Sequence, residues 1–234
     1  MIIVITGASK GLGRAIAEKF AADEQHHTII LNARNAQYLN ELRESLLQNF
    51  SHQKVVVKQC DMSKKEEVLA FASFVSDYGI PDILINNAGS FIPGSVYDEP
   101  EGALEEMMNV NLFSAYHLTR ALLPAMMEQH RGHIFNMCSI ASLKAYANGG
   151  AYSISKFALA GFSKNLREEL KPYNIKVTSV YPGAAYTDSW SGSGVDPKRI
   201  MEAKDIADVV YTSAYLSPTA CVEDIILRPQ LGDL

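Results

Sequence analysis

Short β-branched runs alternate with stretches of helical spacing along this chain, and that alternation leaves few folds open. Residues 2–5, Ile-Ile-Val-Ile, run into Thr6-Gly7, and Leu12, Ile16 and Phe20 then recur at helical spacing. The same reading predicts strands at 28–31, 55–57, 83–85, 133–137, 175–181 and 222–227, and helices at 38–47, 66–78, 101–129, 151–170 and 206–216. The strands are near-continuous in apolar residues, as expected of a parallel sheet covered on both faces. Right-handed crossovers make this an α/β, Rossmann-like, doubly wound parallel sheet of about seven strands. The 234 residues, 47% hydrophobic, suffice for one buried core. No repeat or linker interrupts them, so residues 1–234 are expected to form a single domain. The Gly/Ser-rich stretch 189–196 reads as a loop too short to separate domains.

Composition excludes several partners. A net charge of −5 disfavours nucleic acid and anionic membrane surfaces, which attract basic patches. No apolar run reaches the roughly 18–20 residues of a spanning helix. The first residues form a strand with no basic leader, so no signal peptide is expected. Cys60, Cys138 and Cys221 are odd in number and lack CxxC spacing, which points to inert thiols in a reducing, cytoplasmic setting. His130 and His133 have no Cys or carboxylate at ligand spacing, so no metal is expected.

The segment Thr6-Gly7-Ala8-Ser9-Lys10-Gly11-Leu12-Gly13 lies between the first strand and the first helix. Glycines there allow a sharp bend and close backbone approach to a ligand. The helix N-terminus offers free N–H groups to a pyrophosphate, so Gly7, Ser9, Lys10, Gly11, Leu12 and Gly13 are expected to hold a dinucleotide. An acidic residue after strand two would select NAD. Here the segment reads Leu31-Asn32-Ala33-Arg34-Asn35, and Arg34 together with Lys10 suits the 2′-phosphate of NADP(H). Tyr152 and Lys156, four residues apart, share one face of a predicted helix.

With Asp61, Asn86-Asn87-Ala88-Gly89, Asn111, Ser139 and Pro182-Gly183-x-x-x-Thr187, these motifs stand in order along nearly the whole chain. The set resembles the short-chain dehydrogenase/reductase family. The resemblance implies that Tyr152 donates a proton to a carbonyl oxygen and that Lys156 holds the nicotinamide ribose and stabilises the phenolate. Ser139 would orient the substrate oxygen, while Asn111 would kink its helix and support a proton-relaying water. Asp61 and Met62 would border the adenine with Val110 beneath. Asn87, Ala88 and Gly89 would line the cofactor, and Pro182, Gly183 and Thr187 would meet its nicotinamide end. The helices carrying Asn111 and Tyr152 would pack against their copies in a homodimer or homotetramer.

The substrate, a small carbonyl compound, is expected over Ser139 and Tyr152, capped by the segment holding Tyr186 and Trp190. A flat aromatic such as Trp190 suits a planar or ring-shaped carbonyl compound, although it equally suits packing within the cap. The Pro182–Trp190 segment and the closing residues resemble sepiapterin-reductase-like members, which implies a pterin side chain or another diketo compound. A 3-oxoacyl thioester on a carrier protein is the competing substrate, and a non-catalytic NADP(H) sensor is the competing class. Arg34 and the absent carboxylate predict that NADPH is turned over in strong preference to NADH. Equal turnover of both at matched concentration would refute this.

Overall fold

The computed structural model describes residues 1–187 and 194–234. Its strands are β1 (Ile2–Ile5), β2 (Thr28–Ala33), β3 (Lys54–Gln59), β4 (Ile83–Asn86), β5 (Gly132–Met137), β6 (Ile175–Pro182), β7 (Ala185–Tyr186), β8 (Met201–Glu202) and β9 (Asp224–Leu227). Its helices are α1 (Gly11–Ala21), α2 (Ala36–Asn49), α3 (Lys65–Ser76), α4 (Ala103–Met108), α5 (Ser114–Glu128), α6 (Gly150–Leu170) and α7 (Ala203–Ala214). Seven strands form one sheet in the order β3-β2-β1-β4-β5-β6-β9, with every pairing parallel. The expected sheet is therefore the observed one. The sequence reading did not include β7 and β8, a two-residue parallel pair above it.

Alternation along each strand feeds two cores. Ile3 and Ile5 pack with Phe20, Leu39, Leu42 and Ile206 from α1, α2 and α7. Val4, Ile30, Leu84 and Ile134 face the other way, onto Phe71, Leu118, Leu122 and Leu166 from α3, α5 and α6. Both faces are covered, so neither face of the central strands is turned to solvent. Edge strand β3 differs: its Lys58 and Gln59 are exposed, which discourages pairing with another chain.

The chain winds from β1 outward to β3, then crosses back to begin again at β4. The turns leaving β1 and β4 therefore diverge, and a crevice opens beyond their carboxyl ends. A buried polar ladder backs the second half of the sheet. Asn86 Nδ2 donates to Thr119 Oγ1 (3.0 Å) and Asn136 Oδ1 (2.8 Å). Asn136 Nδ2 and Ser179 Oγ both reach Ser163 Oγ, at 3.0 and 2.8 Å. The ladder ties β4, β5 and β6 to α5 and α6, and its donors are paired, while Asn86 Oδ1 has no partner among the described residues.

The expected helix over 101–129 is not continuous. A π-turn at Asn109–Phe113 separates α4 from α5, with Ser114 N donating five residues back to Asn109 O. The one extra residue in the turn lets Asn111 leave the regular ladder, in line with the kink expected there. His130 and His133 also part company: His130 stacks on Tyr173, while His133 is buried in β5.

His133 carries a consequence for pH. Thr178 Oγ1 donates to Val222 O (2.6 Å), so it accepts from His133 Nε2 (2.7 Å). The ring is then neutral with a bare Nδ1, which has no partner among the described residues. Burial, aided by Lys176, pushes its pKa down to about 3. The folded value lies below the unfolded one near 6.5, so the unfolded chain takes up the proton first. Stability contributed by neutral His133 is complete above about pH 6.5 and is lost as pH falls toward 3. The fall in Tm between about pH 7 and about pH 4 should accordingly be smaller in His133→Phe than in the native chain. Identical falls in both proteins would contradict this.

Candidate active site

A cleft of about 1010 Å³ occupies the crevice. Its floor is the turn after β1, with Gly7, Ser9, Lys10, Gly11 and Leu12. Arg34, Asp61 and Met62 line it at the ends of β2 and β3, and Asn87, Ala88, Gly89 and Val110 line its middle. Ser139, Tyr152 and Lys156 stand at the other end, under Pro182, Gly183 and Thr187. Gly13 and Asn111 do not line it but support it from behind.

The floor is shaped by close backbone approach. Gly7 has φ +63, and a Cβ there would sit 2.9 Å from Ala88 Cα. A Cβ on Gly13 would meet Asn87 Nδ2 at 2.4 Å and Gly7 O at 2.5 Å. Both positions hold the turn down against β4. At the Arg34 end, Lys10 Nζ lies 4.2 Å from the centroid of the Tyr38 ring. Burial raises the Asp61 carboxyl, but hydrogen bonds from Ser63 N and Oγ, with Arg34 nearby, outweigh it and hold the group below the usual carboxylate range.

At the other end, α6 presents Tyr152 and Lys156 one turn apart. Lys156 is 5% exposed and donates from Nζ to Met137 O at 2.8 Å. Its ammonium lies 5.8 Å from the Tyr152 ring centroid. The Phe91 ring stands nearly perpendicular to that ring, with the two centroids 4.9 Å apart. Ser139 caps a short 3₁₀ turn at 140–142, its Oγ accepting from Ala141 N at 3.1 Å. Asn111 Oδ1 accepts from Ser90 N (2.8 Å), and its Nδ2 donates to Ser90 O (3.0 Å) and Ser155 Oγ (2.9 Å). The π-turn thus pins the segment leaving β4 to α6. Cys138, beside Ser139, is buried, and burial pushes its thiol up to about 12, where it is no nucleophile.

Two substrate expectations fall outside this gathering. Tyr186 is 43% exposed and does not line the cleft: in β7 its neighbour Ala185 turns inward, so Tyr186 points the opposite way. Trp190 lies outside the described residues. Other groups at the cleft belong to no motif read from the sequence. Phe91 follows Asn86-Asn87-Ala88-Gly89 by two residues, and Tyr146 lies between Ser139 and Tyr152, so adjacency could have flagged both. Asp233 and Leu234 line it too, from a segment without local signal.

A protein-family model described as short chain dehydrogenase matches residues 1–196. Sepiapterin reductase of Chlorobaculum tepidum is 35% identical over 240 residues, covering 100% of this chain and 98% of that protein. A metagenomic short-chain oxidoreductase solved in complex with NADP superimposes with a TM-score of 0.84 at 31% identity, over 98% of this chain and 97% of the other. L-sorbose reductase of Gluconobacter frateurii, solved with NADPH and L-sorbose, gives a TM-score of 0.88 at 28% identity, over 97% and 94%.

Gly7 and Gly102 together test the floor. Both have positive φ, but only Gly7 has an atom in the path of a Cβ. Gly102→Ala should cost about 1–2 kcal/mol, the left-handed penalty alone. Gly7→Ala should cost more and lower Tm further, because Ala88 must also move. Equal Tm values for the two variants would refute the close approach as the reason for glycine.

Proposed function

The chain belongs to the short-chain dehydrogenase family of oxidoreductases, and from that premise we propose that it reduces a small carbonyl compound to an alcohol with NADPH, Tyr152 supplying the proton. The carrying observation is that Ser139, Tyr152 and Lys156 line the same cleft as the glycine turn and Arg34. The floor suits a dinucleotide: the residues that crowd it are glycines, and Lys10 and Arg34 offer two cations where a 2′-phosphate would lie.

When bound, the dihydronicotinamide supplies the hydride. The chain's own residues do the rest. Ser139 Oγ donates to the substrate oxygen and fixes its orientation. Tyr152 Oη gives its proton to that oxygen as negative charge builds there. Lys156 stabilises the resulting phenolate by its charge and binds the ribose from the same position. Its bond to Met137 O and its burial hold the ammonium in place. Asn111, through Ser90 and Ser155, keeps α6 and the wall opposite in register. The 35% identity to a sepiapterin reductase supports a pterin side chain or another diketone as substrate. Exposed Phe113, at the end of the π-turn before α5, and exposed Ile154 and Phe157 on α6 support homo-oligomerisation through those helices.

Absorbance at 340 nm with NADPH and a panel of sepiapterin, simple diketones and acetoacetyl thioesters tests the reading. Oxidation with the first two groups supports it, whereas preference for the thioesters would favour a carrier-bound substrate. Tight NADPH binding without oxidation of any compound would favour a sensor. Tyr152→Phe should lower kcat by roughly 10²-fold or more, with NADPH affinity within about twofold of native. Near-native turnover in Tyr152→Phe would remove the proton donor from the scheme.

A further inference from the structure

The segment after β9 does not trail into solvent. It turns back over the cleft, where Asp233 and Leu234 form part of the lining beside Tyr146 and Tyr152. Three separate attachments hold it. Gly183 N donates to Leu227 O at 2.8 Å, which fixes where the segment starts. Tyr146 OH donates to Asp233 Oδ2 at 2.8 Å, and Arg228 Nη1 pairs with the same oxygen at 3.1 Å. Arg199 makes the third attachment and the most extensive one. Its Nη1 donates to Gly232 O at 3.0 Å, and its Nη2 donates to Leu231 O at 3.3 Å and Asp233 O at 3.2 Å.

Arg199 is itself firmly placed. It ends the short turn Pro197–Arg199, capped by Asp196, whose Oδ1 accepts from Lys198 N at 2.9 Å. β8 follows at once and pairs with β7, which leaves Pro182-Gly183. A planar fork on three successive carbonyls fixes backbone direction in a way that a point charge cannot. The Tyr146 bond joins the same strap to the loop between Ser139 and Tyr152. Three stretches far apart in sequence are thus bound into one belt over the proton-donor end of the cleft, and none of the bonds named here involves the glycine-turn end.

We propose that residues 228–234 are a latched wall of the substrate compartment and that Arg199 is the positioning residue that sets it, so that it governs carbonyl-substrate affinity and leaves NADPH affinity alone. The substrate half of this statement rests on the reductase reading above; the latch does not. A wall fixed by side-chain bonds to backbone carbonyls acts on binding, because it shapes the space beside Tyr152 without touching the transferred proton.

Sepiapterin or diacetyl, whichever the native chain turns over, serves as the probe, with NADPH affinity read separately by fluorescence. Arg199→Ala should raise KM for the probe roughly tenfold or more, the loss that removal of a charge-assisted hydrogen-bond set implies. kcat and NADPH affinity should stay within about threefold of native. Arg199→Lys, a single ammonium in place of the fork, should fall between. Amide hydrogen exchange follows the latch without any turnover: the Gly232 amide, which donates to Pro229 O at 2.8 Å, should exchange faster in Arg199→Ala, with the sheet amides unchanged. Unaltered KM, or NADPH affinity falling in step with KM, would overturn the positioning role, and unaltered exchange would overturn the latch. If the native chain oxidises NADPH with no carbonyl compound, the reductase reading fails by itself, and exchange still decides whether Arg199 holds the wall.

Discussion

A four-bond clasp between Thr6 and the segment leaving β4 holds the cleft in shape. Thr6 Oγ1 accepts from Asn87 N at 3.0 Å and from Ala88 N at 2.9 Å. Asn87 Nδ2 returns bonds to Thr6 O at 2.9 Å and Gly7 O at 3.0 Å. At this point the sheet reverses direction, and neighbouring turns would otherwise splay apart. Each partner satisfies backbone groups that neither strand ladder nor helix can reach. Because the clasp draws the two turns to within contact distance, Gly7 and Gly13 have no room for a side chain. The bare floor that a dinucleotide would need is therefore a consequence of one side-chain pair.

A second clasp does for the reacting end what the first does for the floor. The π-turn turns Asn111 out of the helical ladder and onto Ser90 and Ser155. Ser155 in turn donates to Tyr152 O at 2.7 Å, so the backbone that carries the tyrosine is fixed to the backbone that leaves β4. Lys156 closes the circuit through Met137 O at the end of β5. Tyr152 thus sits on a helix fastened at two points to strands β4 and β5. Preorganisation of this kind lets a hydroxyl act without reorganising its surroundings as charge develops.

How far the sequence anticipates this depends on how local each feature is. The sheet, its flanking helices and the glycine turn follow from periodicity and turn chemistry within windows of about 10 to 20 residues, so all three were readable. The order Gly7, Asn87, Ser139, Tyr152 and Lys156 was readable because each motif has an internal spacing. The Asn86–Asn136–Ser163 ladder was not, since buried amides far apart in sequence look like surface amides until the strands align. The break in the helix at 109–113 has no glycine or proline to announce it, and the kink at Asn111 was expected only from the family resemblance. Tyr186 shows the reverse error: proximity to Pro182-Gly183 suggested the cleft, and the pleat of a two-residue strand sent it elsewhere.

The same distinction separates the two halves of the cleft physically. The floor is set by backbone geometry at glycines and by amide clasps, where one added methyl group meets another main chain. That half tolerates little change and presents much the same shape to any ligand bearing a pyrophosphate. The other half is walled by Phe91, Tyr146 and the strap that Arg199 holds, all side chains on irregular segments. Exchanging any of them alters the walls without disturbing the sheet. A fold divided in this way can keep one dinucleotide end while the compartment beside it is refitted. The side-chain bonds across the strap, from Arg199, Tyr146 and Arg228, lie outside the sheet, so the refitting can proceed at small cost to the core.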